Sequence, residues 1–328
     1  MKTASHIVLL YEGSDISKVL NYFITDDKLK IYYYKWIPEK EIKGILLIAH
    51  GMAEHSERYD DFAEFLNKNS FAAFANDHRG HGKTAGSPDK VGFVSSENGW
   101  EIIVNDFLKM KQVAKNQYPV IPLFALGHSM GTFILRDIAL NNDEHISGDL
   151  KGIILSGTGC GLGLMGQIGK LIFKLEISKK GADGKSKLLN DMSFGKYNKS
   201  FKPNRTEYDW LSTNNENVDK YIEDPYCGGV FSASFFRDLA YGIEKVNSFK
   251  NIKNVNKNLP VLLISGEKDP VGNFTKGVRR VYKDYLRAGV SDIQMKFYEG
   301  FRHEILNETG KEKVYEDILD WMQKRLIR

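Results

Sequence analysis

Short, nearly continuous apolar runs alternate with amphipathic stretches along most of this chain. Runs at about 44–49, 71–75, 122–127, 151–155, 260–264 and 293–298 carry few polar residues, as strands covered on both faces require. Between them, apolar residues recur at helical spacing near 57–69, 99–116, 130–141, 274–288 and 311–326. This alternation predicts an α/β fold with a mostly parallel central sheet and helices on both faces. Near the N-terminal side, Tyr22-Phe23-Ile24 and the run from Leu29 to Trp36 flank the polar pair Asp26-Asp27 and predict an antiparallel hairpin. There is no internal repeat and no low-complexity tract.

The run from Ile121 to Leu126 leads directly into Gly127-His128-Ser129-Met130-Gly131, and helical spacing begins at Thr132. Strand, sharp turn and helix form the context in which G-x-S-x-G is a nucleophile elbow. The flanking glycines let strand and helix pass closely, and the serine hydroxyl stands at a helix N-terminus, where developing negative charge is favoured. A hydroxyl needs a base, and in this fold class the chain order is Ser, then Asp or Glu, then His. His303 is the last histidine of the chain and follows the strand-like Ile293 to Tyr298. The only other histidine after Ser129 is His145, which follows the polar stretch Asn141 to Glu144 and reads as a solvated loop residue.

The acid comes from the turn Ser265-Gly266-Glu267-Lys268-Asp269 after the run Leu259 to Ile264. Asp269 lies deeper in the loop and is preferred, with Glu267 as its rival. His303 would relay the serine proton, and the acid would hold the imidazole in its productive tautomer. An oxyanion hole is expected from two backbone N–H groups. One is Met52, in the turn His50-Gly51-Met52-Ala53 after an early strand, and the other is Met130, which follows the nucleophile.

These residues carry a family resemblance. His50-Gly51-Met52-Ala53-Glu54-His55-Ser56-Glu57-Arg58-Tyr59, Asp77-His78-Arg79-Gly80-His81-Gly82, Gly127 to Gly131, Asp269-Pro270-Val271-Gly272 and Arg302-His303-Glu304 to Glu308 resemble the lysophospholipase and monoacylglycerol lipase branch of the α/β-hydrolases, the serine aminopeptidase-like hydrolases. The resemblance implies the α/β-hydrolase fold and a serine hydrolase acting on carboxylic esters, of lysophospholipid or monoacylglycerol type. It also implies Asp269 rather than Glu267 as the acid. Asn198-Lys199, Arg205 to Ser212 and Asp224 to Gly228 resemble segments of bacterial lysophospholipase-like members. Competing readings are a small-ester esterase or acyltransferase, and a ligand-binding homologue without turnover. An aspartate-nucleophile hydrolase is disfavoured because the elbow carries serine.

The strand–helix alternation stops from about 157 to 232, and this stretch is expected to be a cap inserted over the active site. Residues 1–156 and 233–328 would then form the two parts of one core. The cap opens with Gly157 to Gly166 and the apolar Ile168 to Phe173. That opening suits either a mobile apolar entrance for an acyl chain or a buried helix with a glycine-rich lead-in. Gly161-Leu162-Gly163-Leu164-Met165-Gly166 matches G-x-G-x-x-G, but the loop Ser178 to Gly184 stands where a βαβ unit would continue, so no nucleotide is expected.

The remaining composition narrows the partners. Net charge is +4 over 328 residues, with Lys and Arg scattered, which argues against a nucleic-acid surface. From Lys170 to Arg205, ten basic residues face three acids, a local +7. Such a patch reads as a solvated loop or as a contact for an anionic lipid surface, so peripheral membrane contact is retained as an expectation. His50, His55, His78, His81 and His128 crowd the expected cleft without a metal-binding spacing, so loop-bracing roles are expected. No metal or cofactor is required. Cys160 and Cys227 read as free thiols. Ile7-Val8-Leu9-Leu10 is too short for a signal-peptide core, and no stretch reaches the ~20 apolar residues of a membrane span. A cytoplasmic protein acting on a small-molecule acyl ester is the expectation.

Overall fold

The computed structural model describes residues 16–141, 143–161 and 165–326. The run Ile7 to Leu10 and residues Leu162 to Leu164 of the glycine-rich stretch lie outside these. Eight strands form one sheet: β1 (Ile16–Ile24), β2 (Lys30–Pro38), β3 (Gly44–Ala49), β4 (Phe71–Asn76), β5 (Leu123–His128), β6 (Leu150–Ser156), β7 (Val261–Gly266) and β8 (Ile293–Tyr298). Their order across the sheet is β1-β2-β4-β3-β5-β6-β7-β8. Strands β3 to β8 are parallel, while β2 runs antiparallel to β4, and β1 to β2.

Every residue of β3, β4, β5 and β7 is buried, which explains why these strands read as continuous apolar runs rather than as an alternation. Helices α1 (Asp60–Lys68), α2 (Gly82–Ala85), α3 (Gly99–Gln117) and α4 (Met130–Ala139) come before β6. Between β6 and β7 lie α5 (Met165–Lys180), α6 (Lys187–Phe194), α7 (Asn215–Glu223), α8 (Ala233–Asn247) and α9 (Phe249–Ile252). Helix α10 (Lys276–Ala288) precedes β8, and α11 (Glu312–Leu326) follows it. Successive residues of a strand point to opposite faces. Ile45 and Leu47 of β3 therefore join Ile103, Ile134 and Val281 in one apolar layer, while Leu46 and Ile48 join Phe62, Leu66 and Ile318 in the other. Each such buried Leu or Ile contributes about 1.5–3 kcal/mol.

Strand β1 is three times as long as the stretch Tyr22 to Ile24 picked out by its pattern. Its outer half carries Lys18 and Asn21 among the apolar residues, so no alternation marks it. Pairing with β2 along the whole length, and Lys18 reaching Glu57 (3.1 Å) and Asp60 (2.8 Å), hold it in place.

The strand order places the site. β4 lies on one side of β3 and β5 on the other, so the loops after β3 and β5 diverge to opposite sides and leave a crevice at the carboxyl ends of the strands. The segment from α6 to Gly229 overhangs that crevice, and the chain returns to the core at α8, whose Phe235, Phe236 and Val246 are buried in the layer containing α4. Helix α5 is neither a fully buried helix nor part of the crevice wall. Ile172, Phe173 and Ile177 pack on the core, while Leu171 and Leu175 are 64% and 49% exposed. No described residue of α5 lines the crevice.

Candidate active site

Ser129 occupies the one-residue joint between β5 and α4, with φ 50° and ψ −114°. A non-glycine residue held there stores on the order of 1–3 kcal/mol of strain, which the surroundings must over-determine. The Ser129 N–H donates to Ser156 O (2.9 Å), and its carbonyl accepts from the Thr132 N–H (3.0 Å) and hydroxyl (2.7 Å). The neighbouring glycines are steric necessities. A Cβ on Gly131 would sit 1.9 Å from Ala49 O, and one on Gly127 would sit 2.4 Å from Gly131 O.

His303 Nδ1 lies 3.0 Å from Asp269 Oδ1, and both residues are buried. Asp269 is itself fixed: Oδ1 accepts from the Val271 N–H (2.8 Å) and Oδ2 from the Ser265 hydroxyl (3.3 Å). Glu267 is exposed on the same turn; among the described residues it is Asp269 that hydrogen-bonds His303. Gly157 runs beneath the pair, and a Cβ there would lie 3.0 Å from the His303 ring and 3.3 Å from Asp269 Oδ2. Burial pulls the His303 pKa down, but the Asp269, Glu304 and Glu54 carboxylates outweigh it and the net shift is upward. The neighbouring His128 ring, 4.6 Å away between centroids, is pushed down to about 3 by burial and by His303, so it stays neutral.

Ser129 and His303 open into one cavity of about 390 Å³. Gly51 and Met52 line it from the loop after β3, next to Ser129. A Cβ on Gly51 would lie 3.2 Å from that of Ser129, so the loop packs closely against Ser129. Met130 is the first residue of α4, so its N–H has no carbonyl one turn earlier to bond. The far wall is aromatic and polar together: Phe194, Tyr208 and Trp210 alongside Asn190, Asn198 and Thr206. The Trp210 and His303 rings are 5.3 Å apart.

The other histidines divide between bracing and bridging. His50 Nδ1 meets Gly51 O (2.7 Å) while Nε2 accepts from the His78 N–H (2.9 Å), and His81 Nδ1 meets Arg79 O (3.1 Å). Burial pushes His78 to about 3 and His81 to about 4, so both are neutral struts. His55 instead reaches across to Asp224. His145 lies in the helical turn Glu144–Gly148.

One cluster had no role assigned from sequence. Arg58 bonds both oxygens of Glu304 and reaches Glu54 (3.3 Å), while Glu54 Oε1 accepts from the Gly51 N–H (2.5 Å) and Tyr59 hydroxyl (3.0 Å). One guanidinium thus joins the Gly51–Met52 loop to the His303 loop. The i, i+4 spacing of Glu54 and Arg58 was the available signal.

The family model described as serine aminopeptidase, S33 matches residues 40–310. The chain belongs to that family of α/β-hydrolases. S33 relatives include the monoacylglycerol lipase of Mycolicibacterium smegmatis, 26% identical over 303 residues covering 91% of this chain and 94% of that one. The monoglyceride lipase of Homo sapiens is 27% identical over 311 residues, 93% of this chain and 91% of its own. Among solved structures, a thermostable carboxyl esterase from Bacillus coagulans in complex with glycerol superposes with a TM-score of 0.86 at 25% identity, covering 94% of this chain and 99% of that one. A soluble variant of Saccharomyces cerevisiae monoglyceride lipase shares the fold with a TM-score of 0.72 at 23% identity, over 93% and 95% of the two chains. This S33 protein is a carboxylic ester hydrolase.

Proposed function

We propose that this S33 hydrolase cleaves a monoacylglycerol-type ester, or the related lysophospholipid, through an acyl-enzyme. In this reading Ser129 attacks the carbonyl and His303 takes its proton. The Met52 and Met130 N–H groups hold the oxyanion, and Asp269 stabilises the imidazolium. The alcohol then leaves with the proton from His303, and water repeats the sequence to release the acid. The observation that carries the proposal is the His303–Asp269 hydrogen bond, with His303 lining the same cavity into which the strained Ser129 opens.

The cavity wall supports the substrate class. Phe194, Trp210 and Leu211 offer apolar surface for an acyl chain, and Asn190 offers an amide to a hydroxylated head group, while Asn198 and Thr206 brace the wall through Trp210 and Asp209. Contact with a lipid surface belongs to the same reading. Leu171 and Leu175 stand exposed on α5 beside Lys170 and Lys174, an apolar strip edged by positive charge. No helix among the described residues is long and apolar enough to cross a membrane.

The test is hydrolysis of monoacylglycerols, lysophospholipids and p-nitrophenyl esters from acetyl to palmitoyl, with Ser129→Ala as blank. Preference for a glycerol ester with a medium or long acyl chain supports the proposal. Activity confined to acetyl and butyryl esters makes the protein a small-ester esterase. Absence of both turnover and fluorophosphonate labelling makes it a binding homologue.

A further inference from the structure

The turn Asp224-Pro225-Tyr226-Cys227 follows α7. It closes with the Cys227 N–H on Asp224 O (3.0 Å) and the Tyr226 N–H on Asp224 Oδ1 (2.8 Å). Proline at its second position presets the backbone for such a turn. An i, i+3 closure sets the carboxylate and the thiol side by side. With Oδ1 taken by the backbone, Oδ2 faces His55 Nε2 at 2.7 Å. His55 comes from the loop after β3.

One ligand atom from each of His55, Asp224 and Cys227 lies within 4.8 Å of the other two. An imidazole nitrogen, a carboxylate oxygen and a sulfur form the mixed donor set that borderline-soft Zn²⁺ takes. Metal–ligand bonds of ~2.0–2.3 Å in a tetrahedral site put neighbouring ligand atoms roughly 3.3–3.7 Å apart. The His55–Asp224 contact therefore opens slightly and the sulfur closes by about 1 Å, within reach of side-chain torsions. We propose that His55, Asp224 and Cys227 form a binding site for a divalent transition metal of zinc type, with a fourth position left to water.

Beside the site, the charge of the Arg58 guanidinium is matched by Glu304 and Glu54. His55 and Asp224 face a cleft of about 480 Å³ whose wall carries Arg58, Lys220 and Lys311 as well as Glu57, Asp60, Asp61 and Glu216. On binding, Cys227 gives its proton to solvent and the thiolate coordinates. A plain His55–Asp224 ion pair accounts for two of the three side chains, and Cys227, packed at the edge of the Trp210–Tyr221 cluster, places the third donor within reach of them.

Such a metal would join two segments remote in the chain. Gly228, next to Cys227, already donates its N–H to Ala53 O (3.0 Å), and Ala53 adjoins Met52. A metal across His55 and the turn would hold the overhanging segment onto the loop that lines the Ser129 cavity. The site stands independently of the ester chemistry.

The test is titration of the full, reduced, chelator-treated chain with Co²⁺, followed by Zn²⁺. The expected result is a thiolate-to-cobalt charge-transfer band in the near ultraviolet, displaced by Zn²⁺. The band is lost in Cys227→Ser, kept in Cys160→Ser, and weakened in apparent affinity at least ~10-fold in Asp224→Asn and His55→Gln. Zn²⁺ raises Tm in the parent chain and in Cys160→Ser but not in Cys227→Ser. Ser129→Ala binds cobalt like the parent chain, so the metal site and the proposed hydrolysis succeed or fail separately. No band in the folded parent chain, or a band that survives Cys227→Ser, overturns the proposal. If Cys227→Ser does not fold by circular dichroism, unchanged cobalt affinity in both Asp224→Asn and His55→Gln overturns it instead.

Discussion

Arg58 and Glu304 meet in a two-point ion pair, Nη1 to Oε1 at 2.5 Å and Nη2 to Oε2 at 2.8 Å, with both side chains more than nine-tenths buried. Arg58 lies two residues before α1, in the helical turn Ser56–Tyr59, and Glu304 directly follows His303, so this pair ties the loop after β3 to the loop carrying His303. Asn217 of α7 joins through Glu304 (2.7 Å) and Arg58 (3.0 Å), bringing the overhanging segment into the same network.

Removing the guanidinium leaves two buried carboxylates, Glu54 and Glu304, without their counter-charge. Arg58→Ala is expected to cost about 3–5 kcal/mol of stability, the range for breaking a buried pair. Arg58→Lys recovers only part of it, because an ammonium cannot make the two-point contact. Urea midpoints at constant m-value measure both; a loss below about 1 kcal/mol for Arg58→Ala would mean the network carries no strain-bearing role.

Ser129 separates activity from stability. Ser129→Ala should lower kcat by several orders of magnitude, as loss of a triad nucleophile does (about 10⁶ in the best-measured case). Ser129→Gly should be equally inactive yet at least as stable as Ser129→Ala, since glycine adopts φ 50° without the Cβ penalty. A glycine variant clearly less stable than the alanine one would contradict strain at this joint.

The two carboxylates of the β7 turn should behave oppositely. Asp269→Asn is expected to reduce kcat by about 10⁴, the size of the effect when the orienting acid loses its charge. Glu267→Gln, exposed and away from the imidazole, should leave kcat and KM unchanged within a factor of about two. Steady-state kinetics on the two variants decide the assignment.

The pH dependence follows from the upward shift of His303. The base must be neutral, so kcat/KM should rise through a pKa above the ordinary histidine value. Glu304→Gln and Asp269→Asn each remove a carboxylate that holds the proton on, so the acid limb moves to lower pH in both. His128, at about 3, adds no titration in this range. For stability the sign is reversed: the charged His303 pairs favourably below its unfolded pKa, and that contribution is lost as pH rises through the raised folded value. Parallel pH–rate and pH–melting series check both directions.

How far the sequence spoke depended on the range of each interaction. Strands β3, β4, β5 and β7 were legible because a strand covered on both faces has no polar alternative at any position. The elbow was legible because its motif is contiguous along the chain, Gly127 answering Gly131 four residues on, although Gly131 itself answers Ala49 O of β3. Chain order then pointed to His303 as base. Two-thirds of strand β1 was missed because an edge strand tolerates Lys18 and Asn21. Helix α5 was open between two readings, since an apolar run looks the same whether its partner is a crevice or the back of α8.

What the sequence by itself determined was the α/β alternation and the elbow around Ser129, with His303 as candidate base and Asp269, ahead of Glu267, as candidate acid, because each depends on local periodicity or on fixed order along the chain. Only the tertiary structure decided that Asp269 rather than Glu267 reaches the imidazole, that Arg58 spans 246 residues to Glu304, and that Asp224 meets His55 across 169. Contacts that distant leave no mark on local pattern. They exist because sheet order and loop closure bring remote side chains into a buried space where an unpaired charge is too costly to keep.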